Sequence, residues 1–177
     1  MRFDIDGTGQ ILARTPGVIR TLLDGLPDEL VRANYGPNTW SPHEVVGHLI
    51  HGEKTDWMPR LRLIMQGGES TFDPFDRNGH KALCREKTTG ELLALFGSLR
   101  EANVAELRSL RLTETDFERP GRHPALGPVT LGQLLATWVV HDLNHTAQIA
   151  KGLAYQHRQE VGPWEAYLSI LAPPAPR

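Results

Sequence analysis

The 177-residue chain is long enough to bury a sizeable core without staples, and its one cysteine, Cys84, rules out an intramolecular disulfide. With 40% apolar and 23% charged residues it has the make-up of a globular protein, not of a disordered or fibrous one. A net charge of −2 gives no basic field for nucleic acid or an anionic membrane surface, and no apolar run nears the roughly 18 residues of a membrane span.

Residues Met1 to Gly7 alternate charge and apolarity with no apolar secretory stretch, so with the lone thiol a cytoplasmic location is expected. The first helix is predicted to begin at Thr15-Pro16, a capping residue followed by proline. It carries Val18, Ile19, Leu22 and Leu23 and ends at Gly25 and Pro27. Ser41-Pro42-His43-Glu44 is a capping box, in which hydroxyl and carboxylate each satisfy the other residue's backbone N–H. It opens an apolar-periodic run from Val45 to Ile64. Thr88 with Glu91 opens a run from Leu92 to Leu110, and Thr130 with Gln133 a run from Leu131 to Leu153.

A short helix is expected from Pro163, carrying Trp164, Tyr167, Leu168 and Leu171, and residues 172–177 read as a disordered tail. Residues 67–87 and 113–129 are read as long loops, and strand signals are sparse. The fold is therefore all-α: a four-helix bundle with a short C-terminal helix, one domain over residues 1–171.

The last long helix carries a stripe at positions 131, 134, 138, 141, 145, 148 and 152, reading Leu, Leu, Trp, His, His, Gln, Gly. It starts as a core seam and turns polar without changing register. On the Ser41 helix, His48 stands between Val45 and Gly52, where a leucine would be expected. A buried imidazole without a partner costs on the order of 1–3 kcal/mol. A lone histidine on such a stripe is usually satisfied by a carbonyl or carboxylate; three in one bundle call for a common explanation.

One divalent metal ion supplies it. His141 and His145, four apart, project from one face, and His48 closes the site from a facing helix, with His51 as its rival. Three nitrogens leave a coordination position open, as catalytic sites do. Imidazole does not name the metal; zinc or nickel is placed ahead of iron or manganese.

Two segments, Trp40-Ser41-Pro42-His43-Glu44-Val45-Val46-Gly47-His48-Leu49 and His141-Asp142-Leu143-Asn144-His145-Thr146-Ala147-Gln148-Ile149, resemble the DinB-like (DinB/YfiT) superfamily of four-helix metalloproteins. Arg14-Thr15-Pro16, Trp57 with Arg60, and Phe75-Asp76-Arg77 extend the likeness over residues 10 to 170 or so. The resemblance implies His48, His141 and His145 as metal ligands, an up-down-down-up bundle and a homodimer. It also implies members that act with low-molecular-weight thiols.

The function expected first is that of a metal-dependent transferase activating a low-molecular-weight thiol cosubstrate toward a small-molecule substrate. The alternatives are a metal-dependent hydrolase, with water at the open position, and a non-enzymatic, stress-associated metal-binding bundle. Asp142 is expected as a partner behind the ligands or as a surface charge, Gln148 as a group orienting a ligand or water, and Arg60, with Asp76 and Arg77, at the mouth. Cys84 is not expected to be a nucleophile, and neither nucleic acid nor membrane is expected as a partner.

Overall fold

The structure is a computed structural model and describes residues 5–68 and 71–172. All three capping boxes form. Ser41 Oγ accepts from Glu44 N at 3.2 Å while Glu44 Oε2 accepts from Ser41 N at 2.9 Å, and the Thr88/Glu91 and Thr130/Gln133 boxes close in the same way. They start helices α3 (Pro42–Thr55), α6 (Thr89–Ser109) and α7 (Leu131–Tyr155), preceded by α1 (Ile5–Leu23) and a single turn, α2 (Asp28–Val31).

Several expectations need correcting. Helix α1 begins at Ile5 and not at Thr15, with Pro16 inside it. Thr15 caps nothing; its hydroxyl donates back to Ile11 O at 3.1 Å. Pro16 has no N–H, so Leu12 O loses its helical partner, and Arg100 Nη1 on α6 donates to it at 2.8 Å instead. A donor 88 residues away makes the interior proline tolerable.

The Val45–Ile64 run is two helices. It breaks at Asp56 (φ −114°, ψ −71°), and α4 (Trp57–Gln66) follows. The first loop contains α5 (Lys81–Glu86), and the second folds into an antiparallel hairpin of β1 (Pro120–His123) and β2 (Gly127–Thr130). Gly127, at φ 77°, takes the left-handed conformation at its turn. Past α7 the chain forms a turn of helix, α8 (Arg158–Val161), and then 3₁₀ turns over Gly162–Tyr167 and Ser169–Leu171. Of the four apolar residues expected there, Leu171 is buried while Trp164, Tyr167 and Leu168 are exposed. Of the 172–177 tail, residues 173–177 lie outside the described residues.

Each long helix packs on two neighbours: α1 and α3 both contact α6 and α7, so α1/α3 and α6/α7 stand on diagonals. Paired contacts give the directions. His43 meets Thr89 and Glu53 meets Arg100, so α3 and α6 run parallel. Glu53 meets Trp138 and Pro42 packs at Gly152, so α3 and α7 are antiparallel. Leu12 meets Arg100 while Ile5 and Leu107 line one cleft, so α1 opposes α6. That is an up-down-down-up four-helix bundle.

Two apolar clusters fill it. One gathers Leu12, Trp57, Leu61, Val104, Leu135 and Trp138; the other gathers Ile19, Val45, Leu49, Leu92, Phe96 and Ile149. Between the two clusters the buried residues of α1, α6 and α7 are polar (Thr15, Arg100, and Asp142 with His145), and α3 adds buried His48 and Glu53. A polar layer thus crosses the middle of the core.

Candidate metal centre

In that layer α3 contributes His48, 5% exposed, and α7 contributes His145, 7% exposed, and half-buried His141. Their Nε2 atoms converge. His141 Nε2 is 3.1 Å from His48 Nε2 and 3.1 Å from His145 Nε2. An imidazole nitrogen carries either one proton or one lone pair, so His141 Nε2 cannot bond well to both neighbours in a chain of neutral rings. Nitrogens about 2.0–2.1 Å from a common ion would be separated by about 2.9–3.4 Å, which matches the observed spacing.

Further observations fit an ion. His145 Nδ1 donates to Gln148 Oε1 at 2.7 Å, which leaves the Nε2 lone pair facing the other two rings. Burial, reinforced by the neighbouring imidazoles, pushes His48 down to about 2 and His141 down to about 3. Burial also holds His145 below the ordinary histidine value. All three rings are therefore neutral near pH 7, the state in which imidazole binds a cation. They form a site fit to hold a metal ion, the one histidine-rich group of this kind among the described residues.

The centre opens on a cavity of about 650 Å³. Trp40, Trp57, Phe72, Phe75, Leu134 and Val129 supply apolar wall. Trp40 lies tilted against His48 at 4.6 Å between ring centroids, and Phe75 meets the same ring edge-on at 5.4 Å. Beyond the triad, polar groups are few: Asp56, Arg60, Arg77, His123, Gln133 and Thr137. Burial raises the Asp56 carboxyl above its usual range against the pull of Arg60, whose Nε lies 2.5 Å from it. His123 Nδ1 accepts from the backbone N–H groups of Ala125 and Leu126, at 3.2 and 3.1 Å, so its neutral ring carries the proton on Nε2. A mostly apolar hollow of this size with a few polar groups suits a small-molecule substrate.

The structure brings His48, His141, His145 and Gln148 together, and Arg60 and Arg77 line the cavity. His51, the rival ligand, faces Phe75 at 4.9 Å and lies outside the triad. Asp142 is neither behind the ligands nor on the surface. It is fully buried, turned toward α1 and α6, and paired with Arg100 at 2.5 and 3.1 Å. One residue on from His141 rotates it about 100° around the helix, away from the ion. Asp76 accepts from Asn78 N in a turn.

Cys84 is buried, and burial pushes its thiol up to about 11, so it is no nucleophile near neutral pH. It packs where a side chain on Gly47 would collide with its sulfur, which explains a glycine beside His48. Asp56, Phe72 and His123 were not singled out by the sequence, and Trp57 entered only through the family likeness. Only the helix break at Asp56 could have signalled one of them.

Comparison with known proteins follows the same line. Residues 11–149 match the model of the DinB superfamily. A Geobacillus kaustophilus protein is 31% identical over 139 residues, 76% of each chain, and one from Bacillus licheniformis is 28% identical over 154 residues, 85% of this chain and 83% of its own. Both are named "putative metal-dependent hydrolase". Among solved structures, YfiT from Bacillus subtilis superposes with a TM-score of 0.72 at 24% identity, covering 88% of this chain and 86% of its own. It is described as "a probable metal-dependent hydrolase with an unusual four-helix bundle topology".

Proposed function

Since the chain belongs to the DinB superfamily, we propose that it is a metal-dependent hydrolase acting on a small electrophile with an apolar body. The observation that carries this reading is the convergence of three neutral Nε2 atoms on the floor of an apolar cavity. A divalent ion held by three neutral imidazoles keeps its full charge and, when bound, supplies Lewis acidity that brings a coordinated water or thiol toward ionisation near neutral pH.

The chain's own residues do the rest. Trp40, Trp57, Phe72 and Phe75 exclude water and hold the apolar body against the open face. His123, with its proton confined to Nε2, supplies a donor to a leaving group from the cavity wall. Arg60, fixed by Asp56 and by Asp73 O at 3.3 Å, adds positive charge where an oxyanion would develop. The names of the relatives agree with hydrolysis.

Thiol transfer is the second reading, favoured by one feature. A second, more polar cleft that includes Asn38, Thr39, Asn144, Gln148 and Lys151 also touches His145 and shares Trp40 and Arg77 with the apolar cavity. A hydrophilic thiol could approach the ion there while the electrophile fills the apolar side.

The deciding experiment assays zinc-loaded protein on a panel of aryl esters, with and without glutathione, bacillithiol or mycothiol. Cleavage that needs metal and no thiol supports hydrolysis; turnover only with thiol supports transfer. Tight metal binding with no turnover, and a large loss of melting temperature on chelation, would leave a metal-binding bundle. Helices α1 and α7 pack together and leave Ile11, Val18, Val140 and Leu143 exposed, a face suited to a second copy in a homodimer. A monomer mass by sedimentation would remove that part of the proposal.

A further inference from the structure

Beside the histidines, the polar layer holds a second group. Arg100 on α6 is 1% exposed, and its planar guanidinium reaches three other helices. Nη2 donates to Glu53 Oε1 of α3 at 2.7 Å and to Asp142 Oδ1 of α7 at 3.1 Å. Nη1 donates to Asp142 Oδ2 at 2.5 Å and to Leu12 O of α1 at 2.8 Å. Glu53 is held further by Trp138 Nε1 at 3.2 Å and Asn103 Nδ2 at 2.9 Å.

We infer that Arg100 is a positioning residue of the metal centre, fixing the two ligand-bearing helices, α3 and α7, against one another through Glu53 and Asp142. The inference rests on the metal reading proposed above. Glu53 lies on the helix of His48, just over a turn beyond it, and Asp142 is the chain neighbour of His141. A second route runs through side chains. Trp138 stacks on Trp57 with centroids 5.7 Å apart, and Trp57 meets the His141 ring edge-on at 5.0 Å.

Apolar side chains would satisfy the core equally well, since buried ion groups seldom add net stability. What a guanidinium adds is direction: a rigid fork whose donors fix the angle and offset of both carboxylates. A trio of ligands in which His141 Nε2 lies 3.1 Å from each of the other two requires that control, because small shifts between α3 and α7 open the His48–His141 edge. A lysine at the same place keeps the charge and loses the fork.

The test measures zinc affinity by competition with a chromophoric chelator, and the visible spectrum of the cobalt(II)-loaded protein, for wild type, Arg100→Lys, Asn103→Ala and Leu23→Ala. Arg100→Lys should keep its far-ultraviolet circular dichroism, lose about tenfold or more in zinc affinity and change the cobalt spectrum. Asn103→Ala, which frees Glu53 from one restraint, should move both readings the same way by less. Leu23→Ala, a core truncation toward the end of α1, should lower the melting temperature and leave both unchanged.

Wild-type affinity and spectrum in Arg100→Lys would overturn the inference, as would an equal affinity loss in Leu23→Ala. Should Arg100→Lys fail to fold, unchanged readings in Asn103→Ala overturn it. A wild type that binds neither metal overturns the metal reading itself. A wild type that binds both, with indifferent Arg100 and Asn103 variants, overturns only this inference.

Discussion

The Arg100 cluster and the histidine cluster share one layer of one bundle, and they tolerate burial for opposite reasons. Arg100 meets Glu53 and Asp142, donors against acceptors and positive against negative, so the group is nearly closed, with only Arg100 Nε left without a partner among the described residues. The three histidines are alike: His141 presents its Nε2 to the Nε2 of each of the other two at 3.1 Å, and no arrangement of protons satisfies all of them. His48 Nδ1 and His141 Nδ1 also lack hydrogen-bond partners among the described residues. A buried polar group whose charges are paired within the chain is scaffold; one that can be completed only from outside the chain marks a site.

The largest effect should come from breaking the charge-paired half. Arg100→Met leaves two carboxylates buried without their cation, and unfolding by urea in the presence of chelator should show a loss of about 3–5 kcal/mol. A loss below about 1 kcal/mol would erase the distinction between the clusters.

Acid should break the other half. In the unfolded chain each ring titrates near 6.5, whereas in the fold His48 titrates at about 2 and His141 at about 3. As pH falls below about 6.5 the unfolded chain gains protons that the metal-free fold refuses, so stability falls with it. The loss should be roughly 1 kcal/mol per pH unit for each ring, with no contribution from them above that pH. Denaturation of chelated protein between about pH 7.5 and 5 checks the slope; stability that rises on acidification contradicts it.

A smaller change of opposite sign should follow His48→Leu. Without metal, an unsatisfied imidazole is replaced by an apolar side chain, so stability should hold within about 1 kcal/mol or improve. The rise in melting temperature that zinc gives the wild type should vanish in the same variant. Thermal melts with and without zinc separate the two effects. The smallest is Gln148→Leu, which removes the acceptor holding the His145 ring. A zinc titration should show about a tenfold loss of affinity, with the chelated protein melting as before.

Much of this contrast was legible in the sequence, but unevenly. The capping boxes located the starts of three helices to within a residue or two, because a cap is a local contract between residues three apart. The triad was legible because histidines on core stripes violate the apolar period. Asp142 was misplaced because the same period says which face a residue occupies and not what stands opposite it; Arg100, forty-two residues away, decides that. The start of α1 was missed for the same reason, since Pro16 reads as a beginning unless a distant guanidinium takes up the Leu12 carbonyl. The cavity walls Phe72, Phe75 and His123 come from loops and a hairpin with no periodic signal.

The central claim is that the histidine cluster is completed by one ion. Protein dialysed against zinc and then against buffer should carry one zinc per chain by elemental analysis. His48→Ala, His141→Ala and His145→Ala should each lose most of it while keeping the helical circular dichroism. A wild type that retains no metal, or an His145→Ala variant with unchanged stoichiometry, would contradict the account.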